Sequence, residues 1–107
     1  MSTSDTSAPL RGIVLEEQVE VSMDDLCAVC RVERTQIVHL VEEGVIDLLP
    51  SMRSATQLAQ WRFSGEALSR ARRAVRLQRD LELNAAATAL VLDLLDQIDA
   101  LRRGAQH

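Results

Sequence analysis

Beyond Asn84 the chain carries apolar residues at Ala87, Val91, Leu94, Ile98 and Leu101, at intervals of 4, 3, 4 and 3. That period is helical. It holds one stripe in line for nearly three heptads, which the two-residue period of a strand cannot do. The spacing predicts a helix over residues 85–103, with Asn84 as its cap and Gly104 as its stop. Leu90 and Leu95 widen the stripe beyond what one neighbouring helix covers. The surplus predicts a self-association seam made of Ala87, Val91, Leu94, Ile98 and Leu101.

The rest of the chain has little with which to build anything but helices around this one. Trp61 and Phe63 are the sole aromatics, and there are four Gly and two Pro among 107 residues. Leu, Val and Ala dominate the apolar set, which points to a mainly α domain rather than a sandwich or barrel. Residues 1–12 are small and polar and read as a disordered tail. From Ile13 the pattern alternates through Leu15, Val19 and Val21, with Glu17 breaking step, and predicts a bent strand. Ser22 then matches a helix cap, with Asp24 and Asp25 suited to the positive end of the helix dipole. Leu26, Cys27, Val29 and Cys30 give this short helix its apolar side, and it should end near Arg31. A second helix, about 33–43, buries Ile37, Leu40 and Val41 and stops at Gly44. Two short helices joined by a tight turn make a helix-turn-helix. Val45–Leu49 and residues 60–63 are expected to pair as a small hairpin, or wing. Ser64 caps the next helix, whose inner stripe is Leu68, Ala71, Val75 and Leu81, flanked by Ala67, Ala74 and Gln78. The divisions are therefore a tail at 1–12, a strand, helix-turn-helix and wing at 13–63, and a helical hairpin at 64–103, all within one domain.

Charge is unevenly spread. The net charge is −4, and all twelve basic residues are Arg. Residues 22–50 hold six acids against two arginines, whereas residues 62–82 hold six arginines against three acids. An acidic whole argues against a nucleic-acid partner. No apolar run approaches the ~18 residues of a membrane span, so no membrane association is expected. No signal peptide is visible at the N-terminus, and two cysteines three apart cannot staple a fold. Both observations point to the cytoplasm.

Several residues invite a chemical reading. Cys27 and Cys30 form a C-x-x-C, but it lies inside a short helix beside Asp24 and Asp25, where a thiolate is disfavoured. Zinc would need further ligands, and only His39 and His107 are on offer, so packing is the favoured reading and no metal or cofactor is expected. His39 has no patterned nucleophile or carboxylate around it. With no phosphate loop, nucleophile elbow or H-E-x-x-H, no enzyme is expected. Arg72, Arg76 and Arg79 share a helix face that is either solvated or able to grip phosphates, and Glu66 is placed to pair with Arg70. The acids around the helix-turn-helix are either a solvated face or a surface that steers a basic protein partner. The candidate partner-binding set is Asp24, Asp25, Gln36, His39, Glu42, Glu43 and Asp47, with Trp61 and Arg62 beside it.

The stretches LCAVCRVERTQIVHLVEEGVI (26–46), WRFSGEALSRARRAVRLQRDLELN (61–84) and ALVLDLLDQIDALR (89–102) carry a resemblance. Their order resembles MerR-type winged-helix proteins and, more closely, the CbpM family of bacterial chaperone modulators. The RRAVRLQRDLELN block followed by LVLDLLDQI is its most specific part. The resemblance implies a mainly α, MerR-like winged helix-turn-helix with a short β-strand wing and a C-terminal dimerisation helix. It also implies a homodimer that binds the J-domain of CbpA, a DnaJ-like co-chaperone, and blocks its stimulation of DnaK. The alternative is a MerR-type DNA-binding transcriptional regulator. Against it, the second helix closes on Glu42 and Glu43, which phosphates would repel, and offers only Arg34, Thr35, Gln36 and His39 to read bases.

Overall fold

The computed structural model describes residues 19–105. A short strand, β1 (Glu20–Ser22), leads directly into helix α1 (Met23–Cys30). Ser22 makes that switch possible, since its Oγ accepts the Asp25 amide at 3.0 Å and satisfies a donor the first turn leaves free. Arg31, in the left-handed region at φ 59°, ends α1 and turns the chain into α2 (Arg34–Glu42). Here the cap is Glu33, whose amide donates to Gln36 Oε1 at 3.0 Å. Gly44, at φ +77°, follows α2 and delivers Val45 and Ile46 side by side into the core.

The chain then makes two 3₁₀ turns, Pro50–Met52 and Leu58–Gln60, before strand β2 (Arg62–Ser64). Strand β2 pairs antiparallel with β1, matching Val21 to Phe63, and not with residues 45–49. The expected hairpin wing is thus corrected. Its remnant is one bond, from the Leu49 amide to the Arg62 carbonyl at 2.9 Å. The reason lies in Val45 and Ile46: a strand would send these neighbours to opposite faces, whereas a turn buries both. Val19, expected beside Val21 on a strand face, lies exposed just before β1. The residues from Ile13 to Gln18 assigned to that strand, and the 1–12 tail, lie outside the described residues.

Ser64 caps α3 (Gly65–Leu81), its Oγ accepting the Ala67 amide at 3.0 Å. Ala67, Ala71, Ala74 and Val75 are its buried face, and small side chains there let α1 and α4 (Ala85–Ala105) approach closely. Leu81, expected on the inner stripe, is 56% exposed because α3 ends at that residue and the chain turns away through Glu82 at φ 55°. Asn84 Oδ1 accepts the Ala87 amide at 2.8 Å, which starts α4 as expected. Gly104 does not stop α4, which continues to Ala105. The core centres on Phe63, Met23, Leu26, Ile37, Leu40 and Leu92, all with no exposed surface.

Candidate functional site

The expected partner-binding residues fall around α2. Asp24, Asp25, Gln36, His39, Glu42, Glu43 and Asp47 are all exposed. Asp24 and Asp25 sit in the first turn of α1, and Asp24 reaches Arg34 at the start of α2 at 2.8 Å. Glu42, Glu43 and Asp47 lie at the far end of α2, about 12 Å along its axis at 1.5 Å per residue. The acids therefore form two groups, one at each end of the second helix, with Gln36 and His39 between them. Gln36 spends its side-chain oxygen on the helix cap. His39 looks across a 350 Å³ cleft toward Gln78, Arg79, Leu83 and Asn84 at the α3–α4 turn, so the face it occupies is walled on one side.

Trp61 and Arg62 serve the chain's own packing. The Trp61 ring meets Phe63 edge-on, centroids 6.3 Å apart at 74°, and Phe63 is fully buried. No described group partners the buried Trp61 Nε1. Arg62 curls back, donating from Nη1 to the Trp61 carbonyl at 2.9 Å and the Ala59 carbonyl at 3.2 Å. The 3₁₀ turn before them packs on α1, which places both beside the helix-turn-helix.

The arginines divide by use. Arg70 does not pair with Glu66. Its Nε donates to the Val45 carbonyl at 2.8 Å, and its guanidinium reaches Asp96 at 3.1 Å and Asp93 at 3.8 Å. It thereby ties α3 to α4 and to the turn after Gly44. Arg79 donates to the Cys30 and Arg31 carbonyls at 3.2 and 3.0 Å, capping the C-terminal end of α1. Both partnerships span more than twenty residues, so neither is visible in local spacing.

The cysteines are free thiols. Burial is the main cause pushing both Cys27 and Cys30 above the usual thiol range, against the pull of Arg34 on one and Arg72 on the other. Cys27 Sγ contacts Met23 Sδ at 3.8 Å. Among the described residues, no group of three or more His, Cys, Asp or Glu could hold a metal ion. The pair packs the base of α1.

Helix α4 shows two faces. Thr88 and Leu92 are fully buried, with Ala85, Ala89 and Leu95 packed beside them. Thr88 tolerates burial because its Oγ1 donates to the Asn84 carbonyl at 2.7 Å. The opposite stripe is open: Leu90, Leu94, Ile98 and Leu101 are 61%, 49%, 44% and 72% exposed, with Ala87 and Val91 half-buried along its edge. Every residue of the expected seam lies off the α4 core stripe. Among the described residues, no helix is long and apolar enough to cross a membrane.

A family model described as MerR HTH family regulatory protein matches residues 21–107. The Chaperone modulatory protein CbpM of Coxiella burnetii (strain Dugway 5J108-111) is 34% identical over 98 residues, which cover 92% of this chain and 88% of that protein. The Chaperone modulatory protein CbpM of Pseudomonas putida (strain W619) is 34% identical over 84 residues, 78% of each chain. That of Pseudomonas entomophila (strain L48) is 33% identical over the same length.

Proposed function

The chain belongs to the CbpM family of chaperone modulatory proteins, built on a MerR-type helix-turn-helix, and from that premise we propose that it binds the J-domain of a CbpA-like co-chaperone and blocks its stimulation of DnaK. The observation that carries this reading is the chemistry of α2. Its exposed surface ends in Glu42 and Glu43, with Asp47 just beyond and Asp24 and Asp25 at the other end. J-domains present a basic helix to DnaK, and a helix with carboxylates grouped at both of its ends is suited to capture it. Trp61 and Arg62 frame the flank of that surface. The protein acts in the cytoplasm as a homodimer through the α4 seam, and its role is occlusion, with no catalytic step.

The family model favours a second reading, a DNA-binding regulator. The side chains of α2 weigh against it. Arg34 is held by Asp24 and Gln36 by the cap, so two of the four groups able to read bases are already engaged.

Titration calorimetry against an isolated CbpA J-domain tests the proposal. The expected result is saturable binding that weakens with salt. Reversing Glu42 and Glu43 to Arg should weaken it about tenfold and flatten the salt dependence. Unchanged binding of that double variant would remove the site assignment. No binding between two folded proteins, with a shift of duplex DNA from the promoter region of its own gene, would favour the regulator.

A further inference from the structure

On the side of the molecule formed by α1 and α3 lies a second open cleft, of 420 Å³. Arg31, Arg72, Arg76 and Arg79 line it, against one carboxylate among the described lining residues, Asp80. Arg79 is held in place by the two α1 carbonyls. Arg31, Arg72 and Arg76 are exposed, and among the described residues no carboxylate forms an ion pair with them. The floor is apolar: Val75 and Cys30 are nearly closed off, and Val29 stands 48% exposed beside them. Arg79 reaches the edge of that floor, its Nη2 donating to the Cys30 carbonyl at 3.2 Å.

Unpaired cations over an apolar floor, in a chain of net charge −4, are not explained by packing or solubility. We propose that this cleft is a docking site for a short acidic peptide segment of a protein partner, with carboxylates on either side of one small apolar side chain. The site adjoins the cleft at His39, sharing Val75 and Arg79 with it, but it does not depend on the J-domain reading. Arg72, Arg76 and Arg79 follow the helix axis in a row about 10 Å long, which matches a few charges in sequence rather than one oxyanion gripped from several directions. Duplex DNA fits poorly, because its phosphates would continue past the row onto Asp80 and Glu82. Val29 would cover the apolar side chain, and the fixed Arg79 lowers the ordering cost of binding.

Fluorescence anisotropy of the full chain with a fluorescein-labelled Glu-Asp-Val-Glu-Asp peptide tests this. Binding should saturate, weaken with salt, and fall about tenfold or more for the amide counterpart Gln-Asn-Val-Gln-Asn. Arg72→Ala with Arg76→Ala should cause a similar loss, and Arg73→Ala, exposed but outside the cleft, should cause none. Amide chemical shifts of the unmodified chain give a readout free of folding effects: the peptide should move Val29, Cys30 and Val75. Equal loss with Arg73→Ala, shifts confined to other segments, or no saturable binding would overturn the proposal. Competition by inorganic phosphate as strong as by the peptide, or tighter binding of a duplex oligonucleotide, would also overturn it by assigning the cleft to another anion.

Discussion

Helices α2 and α4 are built alike on the inside and unlike on the outside. Each lays fully buried leucine against the same core, Leu40 from α2 and Leu92 from α4. Outward, α2 shows Gln36, His39, Glu42 and Glu43, whereas α4 shows Leu90, Leu94, Ile98 and Leu101. A polar outer face is complete in water. An apolar one leaves a hydrophobic contribution unrealised until something covers it. The two helices therefore suit partners of different kinds: a charged, salt-sensitive, reversible contact at α2, and a dry, durable contact at α4.

The likeness is broken most strongly from inside. Leu40→Ala and Leu92→Ala should each cost ~2–5 kcal/mol of stability in urea unfolding, because each empties the shared core. A much smaller cost for one would show that its helix packs loosely. The contrast is tested outside. For the proposed α4 dimer, Leu94→Asp should leave the fold intact by circular dichroism yet raise the dissociation constant by about a hundredfold, since each copy would bury a carboxylate in the seam. A variant that stays dimeric in sedimentation would remove that seam. Next come the caps: Asn84→Ala should cost about 1 kcal/mol, as replacement of a side-chain helix cap typically does. The smallest effect is expected at the surface. Arg34→Gln removes the exposed pair with Asp24 and should not measurably move the unfolding midpoint, while its loss should make α2 more acidic and tighten the proposed J-domain contact at low salt.

What the sequence disclosed was local. Ser22, Ser64 and Asn84 mark helix starts because a cap is a bond over three residues, and all three bonds form. The stripes of α2 and α3 were legible for the same reason, apart from Leu81, the last residue of α3, and the half-buried Val41 and Leu68. What escaped was pairing at a distance. Arg70 had a partner in reach at Glu66 and took Asp93 and Asp96 instead, and β2 took β1 over the nearer residues 45–49. Thr88 escaped because its burial depends on a local bond that hides its polarity. The acidic face was legible as composition, but its division into two ends depends on where α1 meets α2, which no spacing records.

The β1–β2 ladder has a consequence for how this molecule comes into being. Ser22 opposite Arg62 closes a loop that contains the whole helix-turn-helix, with only three residue pairs as the clasp. Closing a loop of roughly forty residues costs chain entropy before any strand bond repays it, so so short a ladder cannot lead folding. Phe63, in the central pair of the clasp, is also fully buried in the core, which ties the ladder to the packing of the helices. The helix-turn-helix is therefore not a module that can be cut free at residue 61: its first strand finds its partner on the far side of the loop, and the emerging chain must wait for β2 before its N-terminal half has an edge to hold.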